Sequence, residues 1–81
     1  FYFDIDTDKN RAVEWTIKAA RQGDSHAQTW LGAMYEDGIG VTKDYKQAVS
    51  WYRKAADQGD AYGQTRLGYM YQYGEGVTKD L

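Results

Sequence analysis

The sequence predicts an all-α chain, an α/α solenoid of two stacked helix–turn–helix repeats, and three observations carry that prediction. Sliding the 81 residues along themselves by 36 positions brings Ala12–Asp44 onto Ala48–Asp80 with identity at 21 of 33 positions. Self-similarity at a period of 20 to 50 residues is the mark of stacked units that bury one another's apolar faces. Within each unit the apolar residues recur at helical spacing, as in Ala48, Trp51, Tyr52, Ala55 and Ala56, at i, i+3, i+4, i+7 and i+8. Between these runs stand the punctuating stretches "QGD" and "G.GVTKD", each present twice.

The elements follow in order. Residues 1–7 precede the first unit and are expected to form an N-terminal cap or arm. The first repeat spans 8–43: Asp8 starts a helix carrying Ala12, Trp15, Ala19 and Ala20. Gly23 suits the left-handed residue after a helix end, and Asp24 caps a second helix bearing Ala27, Leu31, Gly32, Met34 and Tyr35. Gly38 and Gly40 supply the turn into the next unit. The second repeat spans 44–79. Asp44 caps its first helix with Gln47 in the capping-box position, Gly59 and Asp60 repeat the turn and cap, and the last helix carries Gly63, Leu67, Gly68, Met70 and Tyr71. Residues 80–81 read as the start of a further unit. A glycine inside a helix costs about 1 kcal/mol against alanine, so Gly32 and Gly68, at equivalent places, point to close helix contact. Trp15, Trp51, Tyr35 and Tyr71 recur on the apolar faces and are expected in the core.

The pattern "A..WY.KAA.QGD..GQ..LG.MY..G.GV..D" over positions 48–80 resembles the Sel-one-like repeat (SLR), an α/α solenoid branch of the tetratricopeptide (TPR) superfamily. The resemblance covers nearly everything from Asp8 to Leu81. It implies a right-handed superhelix whose first helices line a concave surface that holds peptides or partner proteins, and hence a scaffold or adaptor without chemistry of its own. Three features depart from the pattern. Thr16 stands where the second unit has Tyr52, Gly63 stands where the first has Ala27, and Phe1–Thr7 lack the "G.GV" loop of a preceding repeat. Cysteine-rich members of the family staple each repeat with a disulfide, which a chain with no cysteine does not.

Composition narrows the function classes. The chain is 42% hydrophobic and 27% charged, with a formal net charge of -2 and a pI near 5.2. That balance gives no electrostatic attraction to nucleic acid or to an anionic membrane. No apolar run is long enough to span a bilayer. The opening lacks the positive-then-apolar signature of a signal peptide, and a start at Phe1 suggests an excised piece. A chain of this length buries only roughly 60% of its unfolded surface, near the lower limit for independent stability, and two units are few for a solenoid.

Motifs that could carry chemistry are sparse. Asp4, Asp6 and Asp8 occupy positions 1, 3 and 5 of an EF-hand-like loop, but Lys9 replaces its glycine and Trp15 its bidentate glutamate. They read instead as acidic residues favoured at a helix start by the dipole. "GIGV" and "GEGV" lack the Gly-Lys-Ser/Thr of a phosphate loop. With one histidine, His26, and no cysteine, no metal cluster or nucleophile constellation is picked out, so no catalytic residue, metal or cofactor is expected. Thirteen aromatics invite a base-stacking reading, but the basic groove that such binding needs is missing.

Positions that differ between the units remain. On the first helices they form two stripes facing away from the core: Asn10, Glu14, Ile17 and Arg21, then Lys46, Ser50, Arg53 and Asp57. These eight are the expected partner-binding residues, with Ile17 and Arg53 as anchors. The second helices carry another differing set, His26, Trp30, Ala33 and Asp37 against Tyr62, Arg66, Tyr69 and Tyr73. Exposed there and at Phe1–Phe3, aromatic side chains would promote self-association, which makes a homo-oligomer the alternative to a protein or peptide partner.

Overall fold

The computed structural model describes residues 5–74, with side chains from residue 11 onward. Four helices make up this part: α1 (Ile5–Arg21), α2 (Ser25–Asp37), α3 (Tyr45–Asp57) and α4 (Ala61–Tyr73). Each packs on the next in the chain, so α1 and α3 meet chiefly through α2.

The two "QGD" turns fold almost identically because their chemistry is identical. Gly23 and Gly59 take φ of 98° and 88°, which only glycine adopts without strain. Asp24 and Asp60 then cap α2 and α4 with extended backbone, accepting from the amides of Ala27 and Gly63 at 3.0 and 2.9 Å. Asp44 caps α3 by accepting from Lys46 and Gln47. The capping box is not closed as expected. The Asp44 amide, which Gln47 would have engaged, donates instead to the Tyr35 carbonyl at 2.9 Å and pins the inter-unit loop to the end of α2. In that loop Gly40, at φ 72°, approaches Val13 so closely that a Cβ would lie 2.3 Å from its Cγ2.

α1 begins at Ile5, three residues before the expected Asp8. The backbone through Asp6 and Asp8 is therefore helical, and the calcium-loop geometry considered for them does not form there. Asp4 lies outside the described residues, as do Phe1–Phe3 and Glu75–Leu81.

The core has two clusters. Val13, Ala20, Leu31 and Met34 form one, with Ile17 and Trp51 packed against it. Ala48, Val49, Tyr52 and Met70 form the other, with Ala33 and Leu67 at its edge. Tyr35 touches both, so the units share a single stack.

α3 shows the stacking rule. Its Tyr52 ring lies against Gly32 on α2 of the previous unit, while Ala55 and the Ala56 backbone lie against Gly63 on its own partner α4. Among the described residues α1 packs chiefly on α2, through Val13, Ile17 and Ala20. Its other face, equivalent to 48/52/55, is Ala12, Thr16 and Ala19. This corrects two expected core aromatics. Trp15 is 76% exposed whereas the equivalent Trp51 is covered by the first unit, and Tyr71 is at the surface whereas Tyr35 is covered by α3. Equivalent residues differ in burial because their neighbours differ.

The paired glycines separate in the same way. A Cβ on Gly32 would lie 2.7 Å from Cδ1 of Tyr52, so the absence of a side chain lets α3 seat against α2. Nothing lies within 4 Å of such an atom on Gly68, so the close contact expected there is absent among the described residues.

Candidate interaction surfaces

Polar side chains fix the register of the stack before any outer surface is presented. Gln28 is buried; its amide donates to the Ala20 carbonyl at 3.2 Å and its Oε1 accepts from Gln58 Nε2 at 2.9 Å. The same Gln58 nitrogen also donates to the Gly23 carbonyl, tying the end of α3 to the first unit's turn. On the other side of Tyr35, the Tyr52 hydroxyl donates to Glu36 Oε1 at 2.7 Å, and Arg66 pairs with Glu36 Oε2. Burial, reinforced by the Glu36 carboxylate, pushes the Tyr52 phenol well above its ordinary pKa, so it stays a donor. Arg66 is thus half-buried and engaged rather than exposed as expected.

The expected partner stripes have a mixed outcome. Glu14, Arg21, Lys46, Ser50, Arg53 and Asp57 are exposed, while the Asn10 side chain lies outside the described set. Ile17 is half-buried: it packs against the cluster of Val13, Ala20, Leu31 and Met34, because the own-partner face of α1 runs 13, 17, 20 at i, i+4, i+7, and it also lines a surface hollow beside Glu14 and Arg21. Arg53, its equivalent on α3, turns toward its own second helix in the same way. It hydrogen-bonds the Tyr71 hydroxyl and lies 5.7 Å from that ring's centre. Neither expected anchor is held free. Two shallow hollows of ≈ 560 and ≈ 490 Å³ run along α1 and share Glu14, Lys18 and Gln22, with Arg21 in the second.

On α2, His26 is exposed, with Nδ1 3.4 Å from Oδ2 of the buried Asp60. Among the described residues no three His, Asp or Glu side chains converge as metal ligands would, and no helix is long and apolar enough to cross a membrane.

Two units of paired helices, seated glycine against tyrosine and locked by buried amides, define an α/α repeat solenoid. The chain belongs to the Sel1 repeat family, whose model matches residues 3–24, 25–60 and 61–81. The complete middle match has the period found by self-alignment, framed from the second helix of one pair to the first of the next.

Similar solved structures include a Sel1 repeat protein from Oxalobacter formigenes, at 44% identity over 88% of this chain and 29% of that one, with TM-score 0.84. A second is c5321, a protective antigen of uropathogenic Escherichia coli with an SLR fold, at 46% identity over 88% of this chain and 15% of that one, with TM-score 0.85. A third is Helicobacter pylori cysteine rich protein B, at 33% identity over 89% of this chain and 54% of that one, with TM-score 0.84. The chain therefore spans from about a seventh to about half of the structures it matches. No curated protein matches it. Sel1 repeats are generally protein-interaction modules, and their scaffold is typically non-catalytic.

Proposed function

We propose that the chain is a scaffold module that binds a peptide or protein partner on the surface presented by α1 and α3. The observation that carries this reading is a division of labour between positions. Shared residues such as Val13 and Val49, Leu31 and Leu67, and Met34 and Met70 pack in or against the core, whereas Glu14, Arg21, Lys46, Ser50 and Asp57 differ between units and stand exposed on the first helices. Such a surface gains affinity from a few well-placed contacts rather than from area. Because Ile17 packs against the core and Arg53 holds the Tyr71 contact, the test uses Arg21 and Lys46. Arg21→Glu with Lys46→Glu is expected to change unfolding free energy by no more than about 0.5 kcal/mol and to reduce capture of the partner from a lysate by about tenfold. Undiminished capture would refute this surface.

Self-association through the ends of the stack is a second reading, favoured by the empty space over Gly68 and the exposure of Trp15. α4 repeats at Gln64, Gly68 and Tyr71 the face that α2 uses at Gln28, Gly32 and Tyr35 to receive α3. This reading expects a melting temperature that rises with protein concentration. A concentration-independent melt, with a monomer in sedimentation velocity, excludes it.

A further inference from the structure

Most positions that differ between the units are scattered over solvated helix faces, but six converge. Thr16 on α1, Trp30, Ala33 and Asp37 on α2, Ile39 in the loop and Tyr62 on α4 line one trough of ≈ 410 Å³, floored by Val13 and Met34. An adjoining hollow of ≈ 260 Å³ shares Trp30, Ala33 and Tyr62 and is closed by His26 and Asp60. No residue of the α1 and α3 stripes lines either one.

The second unit replaces residues that build this trough. Thirty-six positions on, Tyr69 takes the place of Ala33, its ring 4.6 Å from that of Tyr73 and 4.4 Å from the Arg66 guanidinium. Arg66 takes the place of Trp30 and is committed to Glu36.

Trp30 and Tyr62 are 67% and 58% exposed and belong to neither core cluster. Two large rings in water beside an apolar floor are surface that a ligand can cover. The charge around them has one sign: Asp37 and Asp60 line the hollows, and no lysine or arginine does among the described residues. The Asp60 side chain is only 5% exposed; its Oδ1 holds the cap of α4, and its Oδ2 lies 3.4 Å from Nδ1 of the exposed His26. A carboxylate sheltered behind aromatic faces favours a cation, which gains from both the charge and the ring quadrupoles.

We propose that this trough is a second docking site, distinct from the α1 and α3 surface. It takes a partner segment that places a bulky apolar side chain beside a lysine or arginine. The apolar group lies against Ile39, Ala33 and Met34. The cation passes between Trp30 and Tyr62 toward Asp60, with Asp37 at the rim.

The test is a ¹⁵N–¹H correlation titration of the full chain with Ac-Leu-Ala-Arg-NH₂ and, in parallel, Ac-Leu-Ala-Glu-NH₂. Shifts are expected at the Trp30 indole N–H and the amides of Ala33, Ile39 and Tyr62, with the arginine peptide binding about fivefold more tightly than the glutamate peptide. Trp30→Ala should abolish them. Asp37→Asn with Asp60→Asn should bring the two peptides level while keeping α4 capped, since asparagine caps as well as aspartate. Equal shifts from both peptides with the unaltered chain, no shifts at these residues, or shifts confined to α1 and α3 would overturn the proposal. Concentration-dependent shifts there without peptide would also overturn it, by making the occupant a second copy of the chain.

Discussion

Tyr52→Ala is expected to cost about 3–5 kcal/mol of folding free energy, the range for deleting a large side chain from a core. Tyr52 is fully buried and is the largest such side chain. It fills the space left by Gly32, helps build the second cluster, and donates to Glu36. Folded domains have about 5–15 kcal/mol in total, and one this small falls in the lower part of that range, so the variant should lose most of its helical circular dichroism near physiological temperature. Tyr52→Phe keeps the ring and removes only the hydroxyl; with Arg66 still on Glu36, it should cost about 1–2 kcal/mol.

The parent chain and Tyr52→Phe also differ in alkaline solution. Because the folded phenol is held above its ordinary value, the unfolded chain gives up the Tyr52 proton first as pH rises past about 10. The stability that Tyr52 contributes is thus complete below that pH and declines above it. Urea midpoints measured between about pH 8 and pH 11 should fall more steeply for the parent chain than for Tyr52→Phe; parallel curves would contradict the burial of this hydroxyl.

The same alanine substitution at the two equivalent glycines should have opposite signs. Gly32→Ala drives a methyl to 2.7 Å from a fully buried ring. Overpacking of that kind costs about 1–3 kcal/mol, against a gain of about 1 from helix propensity. We expect a net loss of up to about 2 kcal/mol, read as a lower melting temperature by about 4–8 °C per kcal/mol. Gly68→Ala meets nothing within 4 Å and should gain about 0.5–1 kcal/mol from propensity alone. Equal destabilisation at both sites would mean that α4 is covered in solution as α2 is, the outcome that self-association predicts.

The contrast between these glycines shows what was legible in the sequence. Repetition marks the residues that stacking needs, so the helices, the aspartate caps and the turns at Gly23 and Gly59 could all be read from spacing and residue type. Repetition does not say which copy has a neighbour. Trp15 and Trp51 are the same residue in the same register, yet only Trp51 has a preceding unit against it. Ile17 is half-buried for a related reason: a first helix in this stack packs on more than one side, and spacing alone does not say that position 17 leans on its own second helix while still reaching the surface. The Glu36–Tyr52–Arg66 contact was invisible because each of its members is replaced 36 positions away, and a comparison of units treats such positions as free to drift. Trp30 and Tyr62 were recognised as differing, but only the packing of α2 beside α4 shows that they line one trough.

The central claim is that α1 and α3 present a surface that the stack leaves free for a partner. Because the chain has no cysteine, a photo-crosslinker can be placed at one position at a time, on Ser50→Cys in the proposed surface and on Gln72→Cys, exposed on α4, as the comparison. The decisive measurement is which position yields a covalent adduct with the protein captured by the parent chain. The account predicts that adduct from position 50 and none from position 72. An adduct from position 72 alone, or adducts only with copies of the chain, would contradict it.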